Sequence, residues 1–271
     1  MIMKAAGLLV VVVAVFIGSL AGQDLPVSGI DPEALIDQIR TVDTRQRAEI
    51  SDLTLRAEYI GGQPQKDGSV KEENRFLKNI YIKFLPDTTW YQEEYLECYR
   101  DSQLLNPEEC RKAGKEQIEN NRKRHVCDIS YNVLHPFYPK SRDDHDILYR
   151  GVASDRVDGY VCHHFRVECR GEPPDGLNGD YYFEAESFHL VRVDFTPVKL
   201  VRRMMFKLSR LDMSIRYGPN PDGWWLPRQL DVEGRGKSTF IIGVKFAATE
   251  YFRHPEVNSG LSDEIFEVNH D

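Results

Sequence analysis

The sequence lacks the features of several large classes of protein. Its predicted strands do not alternate with helices, which excludes the repeated βαβ units of a doubly wound parallel sheet. It has no basic excess: the formal net charge is −8 and the isoelectric point is about 5.6. Neither a nucleic acid nor an anionic membrane surface is therefore expected as the main partner. No internal repeat or low-complexity linker divides the 271 residues, so we expect one domain after an N-terminal leader.

Groupings of catalytic or metal-binding residues are also missing. The charge cluster Asp143–Asp146 has no G-x-S-x-G nucleophile motif near it, and a solvated loop explains it better. Cys162–His164, together with His125 and Cys127, contains atoms that zinc accepts as ligands. Adjacent strand residues face opposite ways, however, and the chain has no C-x-x-C pair. We expect no enzymatic activity, no metal and no cofactor.

The N-terminus has the pattern of a secretory leader. Lys4 precedes an apolar run from Ala5 to Leu20, and small residues at Ser19 and Ala21 have the spacing of a cleavage site. The run is shorter than the ~20 residues that cross a bilayer core, which argues against an uncleaved anchor. Gln23 stands where a lipid-bearing Cys would follow in a lipoprotein. We predict a signal peptide over residues 1–21 and a soluble periplasmic domain over 22–271.

The strongest pattern is a three-stranded meander. Apolar residues alternate with polar ones through Leu208–Tyr217, Trp224–Glu233 and Ser238–Glu250, the period of two of half-buried strands. Turn formers at Gly218–Gly223 and glycines at Gly234–Gly236 separate the three strands. Such a meander has one broad apolar face. Helices, a second sheet or a ligand must cover it.

Other elements surround the meander. Asp31-Pro32-Glu33 is typical of a helix start, followed by Leu35, Ile36, Ile39 and Val42 at helical spacing. Strands are expected at Asp52–Tyr59 and Arg75–Phe84. A very polar helix at about 106–124 is expected on the surface as an insertion or lid.

Further strands complete the predicted sheet. Val126–Tyr138, Ile147–Val152 and Tyr160–Arg170 are β-like, and a hairpin spans Tyr181–Phe195. Because almost all of these strands are neighbours in sequence, we expect an antiparallel sheet.

The five cysteines would lie in an oxidising compartment after export. Cys98 and Cys110 flank one loop, and we predict a disulfide between them. Cys162 and Cys169 point to opposite faces of one strand and cannot pair there. We expect Cys169 to be a buried thiol.

Four segments resemble the LolA/LolB-like superfamily of periplasmic lipoprotein carriers. The hairpin Tyr181–Val193 is similar to the central signature, with further likeness in Val157–Cys162 and Gly223–Arg228. Asn258–Phe266 looks like the terminal segment of outer-membrane lipoprotein-sorting proteins. Together these segments cover most of the chain after Val126. The polar helix has no counterpart in the minimal carrier pattern.

The resemblance implies a mainly β (α+β) fold, with a strongly curved antiparallel sheet that forms an incomplete β-barrel and helices across its concave side. It implies a non-enzymatic carrier that holds a lipid or lipoprotein acyl chain. We expect the protein to be a monomer. A periplasmic sensor or assembly module that binds a protein partner, which could be membrane-associated, is the alternative. The inward meander positions expected to line the cleft are Met213, Ile215, Leu230, Val232, Phe240, Ile242, Val244 and Phe246.

Overall fold

The computed structural model describes residues 30–65, 70–85, 88–123, 133–171, 176–200, 202–203, 206–238 and 242–267. The predicted leader, Cys127 and Phe240 lie outside these residues. The helices are α1 (Pro32–Glu49), α2 (Pro107–Lys123) and α3 (Pro139–Arg142), with 3-10 turns η1 (His135–Phe137) and η2 (Asp263–Ile265). The strands are β1 (Asp52–Pro64), β2 (Val70–Phe84), β3 (Thr89–Arg100), β4 (Gln103–Leu104), β5 (His145–Val152), β6 (Cys162–Cys169), β7 (Leu177–Glu184), β8 (Leu190–Pro197), β9 (Arg202–Arg203), β10 (Phe206–Pro219), β11 (Trp225–Ser238) and β12 (Ile242–Val257). No helix within the described ranges is long and apolar enough to span a membrane.

The strands form one antiparallel sheet that does not close on itself. Eleven of the twelve described strands follow the order β4-β3-β2-β1-β12-β11-β10-β8-β7-β6-β5, and β9 pairs with β10. The face that carries both long helices is called the inner face, and Leu55, Ile80, Phe165 and Ile215 lie on it. The predicted mainly β fold, with an open antiparallel sheet and a few helices, is confirmed.

The meander is present, but one of its predicted turns is wrong. Gly234 and Gly236 lie inside β11, which continues to Ser238. The Phe246 ring of β12 occupies the space that a Cβ at Gly234 would need, and a Cβ at Gly236 would lie 2.6 Å from the Lys207 carbonyl oxygen. These glycines therefore permit close approach of neighbouring strands, and they do not form a turn.

Helix α1 begins as predicted and covers part of the inner face. The Asp31 carboxylate caps it by accepting a hydrogen bond from the Glu33 backbone N–H at 3.0 Å, and Pro32 takes the first helical position. Ile36 and Ile39 are buried against the sheet. An apolar stripe one turn apart therefore decides which side of α1 faces the core.

The largest core lies between α1, η1 and strands β6, β7, β8 and β10, and we call it the α1 cluster. The fully buried Phe137 ring meets the rings of Phe165, Tyr181 and Phe183 edge to face at 5.2–5.8 Å. Its buried members are Ile36, Ile39, Leu134, Phe137, Phe165, Val167, Tyr181, Phe183, Leu190, Val193, Phe195 and Ile215.

The β-like prediction for Val126–Tyr138 is wrong in its described part, residues 133–138. Pro136 stands at the start of η1, where its missing N–H costs no hydrogen bond and its fixed φ suits the turn. The turn drives Phe137 into the α1 cluster as an anchor. A strand would have left that ring on a sheet face.

Helix α2 lies on β3 at the other end of the sheet. The predicted disulfide between Cys98 and Cys110 is confirmed, with the two Cα atoms 5.2 Å apart. A Cβ at Gly114 would lie 2.8 Å from the Tyr95 ring, so the glycine lets the helix approach closely. The polar sequence correctly predicted the helix, whereas β3 itself was not predicted.

The prediction that Cys169 is a buried thiol is wrong. Cys169 is only half-buried, whereas Cys162 is fully buried. Val157, Asp158 and Glu184 surround the Cys162 thiol, and burial, reinforced by the two carboxylates, raises its pKa to about 12. Cys169 lies at the end of β6, where its Sγ donates to the Leu177 carbonyl at 3.2 Å.

Candidate ligand-binding site

A cavity of about 110 Å³ lies between α1 and the inner face. An apolar cavity of ~150 Å³ can hold a benzene-sized molecule, so this space suits a short apolar segment and not a whole lipid. Five strands contribute to its walls. Its apolar lining includes Ile39 and Val42 from α1 and Leu53, Leu190, Leu226 and Pro227 from the sheet.

Polar contacts hold α1 over this cavity. Gln46 makes two hydrogen bonds with the Trp225 backbone: its Nε2 donates to the carbonyl at 2.9 Å and its Oε1 accepts from the N–H at 3.1 Å. The Asp43 carboxylate accepts from Arg47 Nε at 2.7 Å and from the Tyr138 hydroxyl at 2.5 Å. The Trp225 bonds tie α1 to β11 and the Tyr138 bond ties it to the segment between η1 and α3, so the helical wall of the cavity is held in place.

One wall is an aromatic stack. The His189 ring lies on the Trp225 indole with centroids 5.0 Å apart and planes 16° from parallel. The indole N–H donates to the Leu190 carbonyl at 2.5 Å, and the Tyr160 ring packs against the same indole at 5.3 Å. The Trp225 side chain is therefore fixed by a hydrogen bond and by two ring contacts.

His189 is the unusual member of this wall. Its Nδ1 is buried and has no hydrogen-bond partner among the described residues. Burial lowers the pKa of His189, and the nearby charge of Arg45 lowers it further, against the opposite effect of Glu184 and Asp43. The ring is therefore neutral at neutral pH, with one donor and one acceptor nitrogen.

Strand pairing places several predicted site residues in neighbouring rows. Met213, Val232 and Ala248 form one row across β10, β11 and β12, and the next row contains Ile215 and Leu230. Strand β11 also carries Leu226, which lines the cavity. Leu226 precedes Val232 by six residues, a distance of ~20 Å along a strand. We call Leu226, Leu230, Val232, Met213 and Phe246 the inner apolar strip.

The predicted site residues differ in exposure. Ile215 is 2% exposed and belongs to the α1 cluster, and Met213 and Leu230 are half-buried against that cluster. Val232, Val244 and Phe246 are half-buried. Ile242 begins β12 opposite Ser238, and its side chain, like the whole of Phe240, lies outside the described part of the chain.

A buried ionic group on the same face was not predicted from the sequence. Lys78 Nζ lies 2.8 Å from Glu93 Oε1 and 2.9 Å from Glu250 Oε1, across the small Ala57 of β1. The Lys78 and Glu93 side chains are 5% and 1% exposed. The only sequence signal is that charged residues occupy inward positions of otherwise alternating strands.

Hydroxyl groups complete the ionic group. Tyr91 and Tyr95 donate to the two Glu93 oxygens, the latter at 2.7 Å. Burial alone would lower the pKa of Lys78, but Glu250 and Glu93 outweigh it and raise that pKa. Burial alone would likewise raise the pKa of Glu93, yet Lys78 and the two tyrosines hold it below its usual value. Both groups are therefore charged at neutral pH.

His125 and Cys127 lie outside the described residues, and the two histidines considered with them for metal binding have other partners. His163 Nδ1 and the Tyr149 hydroxyl are 2.9 Å apart, whereas His164 Nε2 lies 2.8 Å from Asp180 on the opposite face. Within the described ranges, no three His, Cys, Asp or Glu side chains are grouped to hold a metal ion. In the charge cluster Asp143–Asp146, Asp146 pairs with Arg170.

Known proteins resemble this chain in fold only. No protein-family model matches it, and no curated protein matches it. Solved structures that resemble it include a DUF1329 family protein from Desulfovibrio piger, with 16% identity, coverage of 88% of this chain and 98% of the other, and a TM-score of 0.47. A putative outer membrane lipoprotein-sorting protein domain from Vibrio parahaemolyticus has 9% identity, 86% and 97% coverage and a TM-score of 0.43. A LolA superfamily protein from Nitrosomonas europaea has 10% identity, 88% and 98% coverage and a TM-score of 0.35.

The resemblance expected from the sequence is thus found among solved structures. At these TM-scores it carries no argument about ligand, partner or compartment. The functional argument below rests on the chain's own geometry.

Proposed function

We propose that this protein is a non-enzymatic carrier or binding protein that holds a lipid or acyl chain on the inner face of its open sheet. One observation supports the proposal most: the cavity under α1 and the inner apolar strip share Leu226 and lie on the same face of the sheet, and the other strip residues are half-buried. Each buried CH₂ of a chain contributes about 0.8 kcal/mol, so such a surface binds an acyl chain without specific chemistry.

We further propose that the protein acts in the periplasm as a single copy, after removal of residues 1–21. Mass spectrometry of the protein purified from its own compartment tests the ligand and the compartment together. We expect an intact mass for a chain beginning at or near Gly22, and a lipid in the organic extract. A stable protein partner in place of lipid would favour the alternative, in which the same face binds a protein.

Substitutions that fill the proposed site distinguish a ligand-binding cavity from an ordinary packed core. Val42→Phe and Val232→Phe add bulk in the cavity and on the inner apolar strip. If these are open spaces, binding of a fluorescent fatty-acid probe should fall several-fold while Tm holds or rises. In a closed core, overpacking costs typically 1–3 kcal/mol and Tm falls.

Leu148→Phe is the matched control, because Leu148 is 50% exposed on β5. It should change neither probe binding nor Tm. Wild-type protein that binds no apolar probe, together with filling variants that melt early, would contradict the carrier proposal.

A further inference from the structure

A second cavity lies on the face of the sheet opposite the inner face, which we call the outer face. It has a volume of about 420 Å³ and lies over β1, β2 and β12. Arg56 of β1 and Arg253 of β12 are register partners, and both line this cavity. Partners of this kind have Cβ atoms about 5 Å apart, and like charges at such positions are destabilising. The arginine pair therefore calls for a reason other than stability.

A β-bulge brings the two arginines opposite each other. Between the pairs Thr54–Glu256 and Arg56–Arg253, β12 has one residue more than β1. The backbone accommodates this residue at His254, whose φ is 48°, a conformation that residues other than glycine adopt rarely. Without the bulge, Arg56 would face His254. Bulges that re-aim a side chain, and backbone outliers, are concentrated next to functional sites.

The carboxylates of the cavity do not neutralise both arginines. Glu58 lies 2.8 Å from Arg75 and 3.4 Å from Arg253, so two cations share it. Arg56 is half-buried and has no carboxylate partner among the described residues. Glu256 is exposed in the same lining and has no cationic partner within the described part of the chain. The cavity thus presents positive charge with one carboxylate beside it.

We propose that the outer cavity binds a phosphate group that carries a neighbouring ammonium. Guanidinium groups bind phosphate oxygens in bidentate pairs, and a phosphate monoester has a charge of about −1.5 to −2 at neutral pH, which two arginines balance. Thr54 lines the same cavity, and its hydroxyl is a further donor. Glu256 would repel a bare phosphate, whereas it attracts an ammonium beside the phosphate. The site lies on the other face from the acyl-chain site and does not depend on it.

Two soluble probes test the site by isothermal titration calorimetry at neutral pH and low salt. O-phosphoethanolamine carries both groups, and ethyl phosphate has the same phosphate without the ammonium. We expect wild-type protein to bind both, and to bind O-phosphoethanolamine about two- to fivefold more tightly, which is the worth of one exposed ion pair.

Substitutions assign the two groups to their partners. Arg56→Gln should weaken binding of both probes about tenfold or more, because it removes a hydrogen bond between charged groups. It also relieves the repulsion from Arg253, so Tm should hold or rise, whereas a merely structural arginine would lower it. Glu256→Gln should abolish the preference for O-phosphoethanolamine. Arg150→Gln is the matched control, since Arg150 is exposed on β5, and it should change neither affinity.

Arg253→Gln keeps the test valid if Arg56→Gln does not fold. The Arg253 side chain is 58% exposed, so its removal should leave the fold intact and weaken the binding of both probes. Binding of both probes by Arg253→Gln as tightly as by wild-type protein would contradict the proposal.

Glycerophosphoethanolamine, the soluble headgroup of a phospholipid, distinguishes two sources of the ligand. Tighter binding of this diester would support a lipid headgroup, and tighter binding of O-phosphoethanolamine would support a free phosphate monoester. If no phosphate probe binds wild-type protein, or if Arg56→Gln binds as well as Arg150→Gln, the outer site is overturned. Equal affinities for ethyl phosphate and O-phosphoethanolamine would overturn the role of the ammonium. The carrier proposal depends on the inner face and stands or falls separately.

Discussion

The two ends of the inner face are stabilised by different interactions. The α1 cluster is a dry aromatic and aliphatic core in which Phe137 contacts three other rings. Beneath α2, the buried apolar residues are only Phe76, Cys98 and Cys110 among those described, next to the Lys78–Glu93–Glu250 group. A disulfide and an ion pair therefore take the place of a large apolar core at that end.

The comparison shows why the cavity lies where it does. Helix α1 is held by apolar packing at Ile36 and Ile39 and by hydrogen bonds at Gln46, which leaves space between these contacts. Helix α2 is joined covalently to β3 and lies close to Tyr95. A ligand chain therefore fits more readily beside α1, which is fixed only at separate points, than beneath α2, which packs directly on β3.

Phe137→Ala should have the largest effect, because it removes the central ring of the α1 cluster. We expect a loss near the upper end of 3–5 kcal/mol in the free energy of unfolding, measured by urea titration. Phe266→Ala is the control, since Phe266 is only half-buried beside Trp90, and it should cost much less. Equal losses would show that the α1 cluster is not the main core.

Lys78→Met tests the other end of the sheet. It leaves Glu93 and Glu250 buried near each other without their cation, and removing one partner of a buried pair costs about 3–5 kcal/mol. Some of this loss is offset because Met keeps the packing of the lysine stem. Lys83→Met removes a partner of Asp263, whose side chain is 64% exposed, and should cost less than about 1 kcal/mol. A small effect at Lys78 would mean that the ionic group is not important for stability.

Acidification should have the smallest effect on stability, and it should affect the α1 end of the sheet before the α2 end. The pKa values of His135, His163 and His189 are lowered chiefly by burial, so the unfolded chain binds protons more readily than the folded one. Stability at the α1 end should fall as the pH drops through the unfolded value near 6.5. The pKa of Glu93 is held below 4.5. The stability that its carboxylate contributes is therefore retained above that pH and lost only at more acidic pH.

Hydrogen exchange at pH 7 and pH 5 checks this order. Amides of β6, β7 and β8 should lose protection at pH 5 while those of β2 and β3 keep theirs. Simultaneous loss in both regions would show that the sheet opens as one unit, whatever the charges at each end.

Local patterns in the sequence determined much of the architecture. The alternation through Leu211, Met213 and Ile215, the cap at Asp31 and the Cys98–Cys110 loop each depend on neighbours in the chain, and each has its predicted form. Backbone geometry fixes a period of two or 3.6 residues for any such segment, whatever it later packs against. The strand faces, the start of α1 and the disulfide could therefore be predicted from the sequence alone.

Only the tertiary structure decided which side chains meet across strands. It placed Phe246 over Gly234, joined Lys78 to Glu93 and Glu250, and brought His189 to the cavity under α1. These contacts depend on strand register, and a shift of one residue would send every side chain to the other face. Strand β3 was missed for the same reason: its inward Glu93 is acceptable in a buried position only because Lys78 of the neighbouring strand β2 forms an ion pair with it.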